Sequence, residues 1–254
     1  MDLGSGGGGA DALARAMKDA SLPERLALAS RSIAGRLVFT TSFGLEDQAI
    51  THAIFRAGLD IHIELATLDT GRLFPETYDL WAQTEEHYGR RIHAVSPDRS
   101  GLEALVARQG INGFRHSVEA RKACCDIRKV EPLGRALAGA AGWITGLRAE
   151  QSAFRAAVPL AVSDEGYGLI KVNPLADWSR QDLARYVTDN AIPYNPLHDR
   201  GYPSIGCAPC TRAVRLGEPE RAGRWWWEQE AKKECGLHLV PTQKIQEQSD
   251  DQRA

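Results

Sequence analysis

Arg36-Leu-Val-Phe-Thr-Thr41, Ser42-Phe-Gly44, the segment Leu45 to Arg56, and Ile61-His-Ile-Glu-Leu-Ala66 together decide the fold. The first six residues form an apolar run of strand length, and Ser42-Phe-Gly44 is a tight turn. Leu45 to Arg56 reads as an amphipathic helix, with Glu46 and Asp47 in the first turn, where the helix end favours negative charge. Ile61 to Ala66 supplies a second strand. Strand, helix and strand in this order make a right-handed βαβ unit, whose ligands sit past the carboxyl ends of the strands.

The pattern repeats outward from this unit. Phe74 to Tyr88 reads as a helix with Pro75 and Glu76 in its opening turn, and Arg91 to Val95 as a strand. Helices around Leu102 to Gln109 and Val118 to Leu137 follow, then strands at Gly142 to Thr145 and Gly168 to Val172. Ser179 caps a helix running to about Asn190, and upstream Ser21-Leu-Pro-Glu24 is a capping box that starts a helix to about Ile33. The expected class is α/β, a single mainly parallel twisted sheet flanked by helices. Residues 1–20 are expected to be a flexible N-terminal segment, 21–217 the α/β domain, and 218–254 a C-terminal helix with a mobile segment.

With 254 residues, 43% of them hydrophobic, the chain can bury one substantial core. A formal charge of -2 argues against a protein that coats nucleic acid, so any anion it binds should be small. No run reaches the length of a membrane-spanning helix, and the Gly-rich N-terminus lacks a basic then apolar export signal. The expected location is the cytoplasm, where the five cysteines would be reduced.

Three strand ends carry polar, glycine-containing turns: Ser42-Phe-Gly44, Leu68-Asp-Thr-Gly-Arg72 and Thr145-Gly-Leu-Arg148. Gly44, Gly71 and Gly146 would let backbone N–H groups approach a ligand closely. Asp69 is a candidate acceptor for a ribose hydroxyl, and Arg72 or Arg148 a partner for a phosphate. Arg155 adds a further cation beyond the third turn, and Arg221 and Arg224, three residues apart, would share one helix face as an anion clamp. Trp225-Trp-Trp227 cannot all face one core, so at least one of them should line a cleft or an interface.

Arg121-Lys-Ala-Cys124-Cys125-Asp-Ile-Arg-Lys129 carries two adjacent cysteines. Neighbouring Cα atoms lie about 3.8 Å apart across a trans peptide, too close for an ordinary disulfide. Cys207-Ala-Pro-Cys210 completes four thiolates in two close pairs, ligand arithmetic for an iron-sulfur cluster or for zinc. Successive side chains on a helix point about 100° apart, which suits different corners of a cubane better than one tetrahedral ion. Arg121, Lys122, Arg128 and Lys129 would offset the negative charge of a four-thiolate cluster. The fifth cysteine, Cys235 in Glu234-Cys-Gly-Leu-His238, sits in a small polar motif that suits a mobile nucleophile.

Taken together, Cys124-Cys125 with Arg128-Lys129, Leu68-Asp-Thr-Gly-Arg72, Lys171-Val-Asn-Pro-Leu-Ala176, Ile192-Pro-Tyr-Asn-Pro-Leu-His198, Cys207-x-x-Cys210, the tryptophan triplet and Glu234-Cys-Gly-Leu-His238 closely resemble assimilatory sulfonucleotide reductases. The likeness is to the iron-sulfur adenylyl-sulfate (APS) reductases and covers roughly residues 36–240. It implies a domain of the adenine nucleotide α-hydrolase-like kind, APS as substrate, reduced thioredoxin as partner, and sulfite and AMP as products. Cys124, Cys125, Cys207 and Cys210 would hold a 4Fe-4S cluster, Cys235 would be the nucleophile, and His238 could lower its pKa. Lys129 would bridge cluster and substrate, while Arg148, Arg155, Arg221 and Arg224 would hold phosphate and sulfate. Ser42, Gly44, Asp69 and Gly146 would lie around the nucleotide. The charge balance gives no reason to expect a nucleic-acid partner, and homo-oligomerisation stays open. The neighbouring substrate is 3'-phosphoadenylyl sulfate (PAPS), whose reductases usually lack the four cluster cysteines. A zinc-stabilised binding module with an incidental Cys235 is the non-enzymatic alternative.

Overall fold

Strand β1 (Arg36–Thr41) is the centre of the molecule, and its alternating side chains serve two different cores. Leu37 and Phe39 face a large cluster with Ile50, Ile54, Ile63 and Leu65, while Val38 joins a smaller one with Leu133, Leu137 and Trp143 on the other face. The computed structural model describes residues 7–228. Within them a six-stranded sheet has the order β3-β2-β1-β4-β6-β5, with β2 (Ile63–Leu68), β3 (His93–Val95), β4 (Ala140–Ile144), β5 (Ala161–Asp164) and β6 (Leu169–Val172). Every neighbouring pair is parallel except the edge pair β5 and β6. The mainly parallel sheet expected from the βαβ pattern is therefore present.

Helices α3 (Leu45–Arg56) and α4 (Pro75–Tyr88) cross between β1, β2 and β3. Gly44 is the N-cap of α3, so that helix starts where β1 ends, with buried Glu46 and Asp47 in its first turn. Helix α5 (Arg99–Gln109) precedes α6 (Val118–Cys125). A π-type turn at Asp126–Val130 then runs into α7 (Glu131–Leu137), so the helix expected from Val118 to Leu137 is one continuous rod with a wide turn beside the tandem cysteines. Such turns insert an extra residue and redirect side chains, and are frequent at functional sites. Helix α8 (Arg180–Asp189) has the expected Ser179 cap, whose hydroxyl oxygen accepts from the Asp182 backbone N–H.

Two expectations are corrected. Residues 7–20 are not a flexible segment: helix α1 (Gly7–Met17) buries Leu13 and Met17 in the larger core. Helix α2 (Leu22–Ser32) carries Arg25, which donates to the carbonyls of Met17, Lys18 and Pro174 and pairs with Asp177 at 2.5 Å, fastening this region to the end of the sheet. Nor do residues 218–228 form a helix. Pro219 and Gly223 favour turns, and the segment folds back through a bridge between Arg224 and Thr211. Arg212 donates its backbone N–H to the Gly223 carbonyl, an approach so close that a Cβ at Gly223 would lie 2.2 Å from the Arg212 carbonyl oxygen.

Candidate active site

The carboxyl ends of β1, β2 and β4 open onto a cavity of about 190 Å³. Ser42, Gly44, Gly146, Arg155, Arg221, Arg224 and Lys129 all line it, as the strand-end argument and the resemblance expected. The Ser42 backbone N–H and hydroxyl both donate to Asp47 Oδ2, at 2.7 and 2.8 Å, which locks the turn after β1 onto α3. The opposite wall comes very close, since a Cβ at Gly146 would stand 2.3 Å from Asp47 Oδ1. Burial pushes the Asp47 carboxyl up to about 6 against the two Ser42 hydrogen bonds, with Glu46 adding to the rise.

The cleft mixes charges of both signs. Lys129, Arg155, Arg221 and Arg224 face it together with Glu46, Asp47 and Glu220. Arg148, expected as a phosphate partner, is not on its lining. Its fully buried guanidinium is paired with Glu46 at 2.8 Å, Glu220 at 3.3 Å and Glu150 at 3.6 Å. Gln151 donates to Glu46 and accepts from Arg155 at 2.5 Å, so one polar chain runs along the cleft wall from Arg155 through Gln151 and Glu46 to the buried Arg148. Burial and then Glu46 raise the Glu220 carboxyl, against the pull of Arg148 and Arg180.

Asp69 and Arg72 are also elsewhere than expected. Asp69 accepts from Tyr78 Oη at 2.7 Å and from the Gly71 backbone, closing its own turn. Arg72 donates to the Ile111 carbonyl and to Asn112 Oδ1, and stacks 5.2 Å from the Phe114 ring. Both support the loop after β2 rather than line the cleft; it is Thr70, between them, that faces it. That loop in turn carries the second cysteine pair. The Arg72 carbonyl accepts from the Ala208 backbone N–H at 2.8 Å, and Thr70 Oγ1 lies 3.3 Å from Cys207 Sγ.

Cys124, Cys125, Cys207 and Cys210 converge on a small void whose other walls are Phe114, Arg121, Arg128, Lys129 and Trp225. Cys207, Lys129 and Trp225 line this void and the cleft alike, so the two share a wall. Burial by itself pushes the Cys207 thiol up, but Lys129, the Thr70 hydroxyl, Arg224 and Arg128 outweigh it and bring the thiol below its ordinary value. Burial and the neighbouring Cys207 push Cys210 up to about 11, while burial raises Cys124 against Arg128. All four cysteines are free, with no disulfide between them. Among the described residues no three His, Cys, Asp or Glu side chains stand close enough to hold one ion. Thiols arranged around a void suit a multi-iron centre better than a single zinc, whose sulfurs would all lie about 2.3 Å from the metal.

The tryptophan triplet divides as its spacing requires. Trp225 is buried between cleft and void, while Trp226 is exposed. Sequence reasoning did not assign Glu46, Asp47, Glu220, Gln151 or His198 to the site. The first two were visible as first-turn acids at a strand end; Glu220 and Gln151 reach it only through long-range folding. His198 lines the cleft, and burial lowers its imidazole below the ordinary 6.5. Cys235 and His238 lie outside the described residues.

The model of the phosphoadenosine phosphosulfate reductase domain matches residues 36–213, from the first residue of β1 to just past the second cysteine pair. The chain belongs to that family. A relative from Sinorhizobium fredii named adenosine 5'-phosphosulfate reductase is 56% identical over 231 residues, covering 91% of each chain. One of the same name from Allochromatium vinosum is 54% identical over 202 residues, covering 80% of this chain and 78% of its own. Among solved structures, the phosphoadenylyl-sulfate (PAPS) reductase of Candida auris in a phosphate complex superposes with a TM-score of 0.68 at 31% identity, covering 80% of this chain and 95% of its own. The matched range spans the whole sheet and all four cysteines, while helices α1 and α2 lie before it and Glu220, Arg221, Arg224 and Trp225 of the cleft lie after it.

Proposed function

We propose that this protein is an APS reductase, converting adenylyl sulfate to sulfite and AMP in sulfate assimilation. The observation that carries the reading is the shared wall: Lys129 and Cys207 belong both to a cation-lined cleft at the strand ends and to a four-cysteine cage. The relatives carrying the APS reductase name support it, at 54–57% identity over most of the chain for the Sinorhizobium, Rhizobium and Allochromatium proteins.

In this reading the adenosine enters the strand-end cleft, and Lys129, Arg155, Arg221 and Arg224 offset the charge of the phosphate and sulfate. The Cys235 thiolate attacks the sulfate sulfur, an S–S bond forms, the bond to the bridging oxygen breaks, and AMP departs with the electron pair. A thioredoxin thiolate then attacks Cys235 Sγ and sulfite leaves with the electrons of the broken S–S bond. The second thioredoxin thiol closes the disulfide and frees Cys235. Two electrons pass from the dithiol to sulfur, so none are needed from elsewhere. Cys124, Cys125, Cys207 and Cys210 would hold a 4Fe-4S cluster. When bound, that cluster would supply a fixed centre of charge beside the sulfate.

PAPS is the second substrate to weigh, because the family model and the Candida auris structure carry its name. The relatives at 54–57% identity carry the APS reductase name, which favours APS. No helix among the described residues is long and apolar enough to cross a membrane; the reading has the enzyme meet reduced thioredoxin in the cytoplasm. The test is steady-state turnover with reduced thioredoxin and either nucleotide. Sulfite release from APS at a kcat/KM well above that from PAPS supports the proposal, and the reverse order overturns it.

A further inference from the structure

One indole stands against two guanidiniums where the cleft meets the thiol cage. Arg121 Cζ and Arg224 Cζ each lie 4.8 Å from the centroid of the Trp225 ring. Trp225 is 1% exposed, and its backbone is held at φ +41°, a left-handed conformation that a bulky side chain adopts only under constraint. The constraint is visible: its N–H donates to the Cys210 carbonyl at 3.1 Å, and the Arg224–Thr211 bridge immediately precedes it.

The two arginines differ in how firmly they are otherwise held. Arg121 grips Glu228 through two hydrogen bonds of 2.9 Å. Among the described residues the Arg224 guanidinium donates only across long contacts, to Ser204 Oγ at 3.4 Å and to the Ile205 carbonyl at 3.3 Å, and it lies so near Gly206 that a Cβ there would meet it at 2.2 Å. Among the described residues Arg224 has no carboxylate within ion-pair distance, whereas Arg121 and Arg212 each have one and Arg148 has three. Its place in the cleft therefore rests on the tryptophan face and on the narrow channel past Gly206. An arginine stacked on an aromatic ring keeps its in-plane N–H donors available for an anion.

We infer that Trp225 is a positioning residue that presents Arg224 to the anionic part of the substrate, and so sets the anion affinity of the cleft without touching the substrate's nucleoside. This rests on the nucleotide reading above and adds to it a division of labour inside the site. The prediction is a selective one. Weakening the stack should loosen ligands that carry a phosphate and leave an uncharged nucleoside alone.

The experiment uses the cluster-loaded full chain and its Trp225→Phe and Trp225→Leu variants, with AMP and adenosine as competing ligands against APS turnover. Iron content is measured first for each. Trp225→Phe keeps a smaller aromatic face and should weaken AMP about threefold, and Trp225→Leu about tenfold, that is about 0.6 and about 1.4 kcal/mol. Adenosine inhibition should stay within twofold of the wild type, and Arg224→Gln combined with Trp225→Leu should be no worse for AMP than Arg224→Gln alone. Equal weakening of adenosine and AMP, unchanged AMP affinity in either variant, or additive losses in the double variant would overturn the inference. If Trp225→Leu fails to fold, the threefold and selective effect in Trp225→Phe decides alone. Wild-type protein that binds neither AMP nor APS would instead remove the nucleotide reading itself.

Discussion

Arg121 and Glu228 form a bidentate ion pair with side chains only 1% and 3% exposed, joining the helix of the tandem cysteines to a residue 107 positions later. The pair ties the segment that carries Trp225 to the helix that carries Cys124 and Cys125. Removing one partner of such a buried pair leaves an uncompensated charge. Glu228→Ala should cost about 3 kcal/mol in urea unfolding, near the lower end of what breaking a buried pair costs. Replacing both partners by apolar residues of similar volume should cost less than the single change, and the two denaturation midpoints compare them directly.

Asp47 gives a pH prediction with a definite sign. In the unfolded chain its carboxyl loses its proton near the ordinary 3.8, whereas burial in the cleft holds it on to about 6. Between those values the folded state binds more protons, so the Asp47 contribution to stability falls as pH rises through the window and is level above it. Asp47→Asn should therefore gain stability relative to the wild type from the lower to the upper end of that window. Thermal unfolding of the two proteins at several pH values checks this; a difference that is flat or of opposite slope would contradict it.

Gly146 is set by the approach of the opposite wall rather than by backbone conformation. A Cβ there would lie 2.3 Å from Asp47 Oδ1 and 3.0 Å from Glu46 Cβ, inside the first turn of α3. Gly146→Ala should cost about 1–3 kcal/mol by overpacking and should raise the KM for APS, because the displaced acids line the cleft. The same substitution at Gly134, where a Cβ meets nothing within 4 Å, is the control and should be neutral or slightly stabilising.

What was legible in the sequence was local. The βαβ unit, the Ser179 cap and the Gly44 turn were readable because strand alternation, capping and tight turns are written in a few adjacent residues. Helix α1 was hidden by its own first turn, Gly7-Gly-Gly9, while the burial of Leu13 and Met17 that holds it comes from the rest of the fold. Arg148 was misassigned because its partner Glu46 is 102 residues away, and nothing near Arg148 announces that pairing. Arg221 and Arg224 do share the cleft as expected, but in a chain of turns that Pro219 and Gly223 favour, not on one helix face. Asp69 and Arg72 looked like ligand contacts and are loop supports, a distinction set by which way a turn is twisted after β2.

The cage prediction separates the roles of the cysteines. Cys207→Ser should lose iron and sulfide while Cys235→Ser, on a residue assigned to chemistry, should retain both. Metal analysis after anaerobic purification measures this, and zinc in place of iron in the wild type would contradict the cluster assignment.

The most direct measurement of the central claim is a single-turnover experiment without reductant. The protein is incubated anaerobically with APS, AMP release is followed, and the modified residue is located by mass spectrometry. The account predicts AMP in amounts equal to active sites, one SO3 group gained on Cys235, and sulfite released only when reduced thioredoxin is added. AMP release without modification of Cys235, or modification on one of the four cage cysteines, would contradict it.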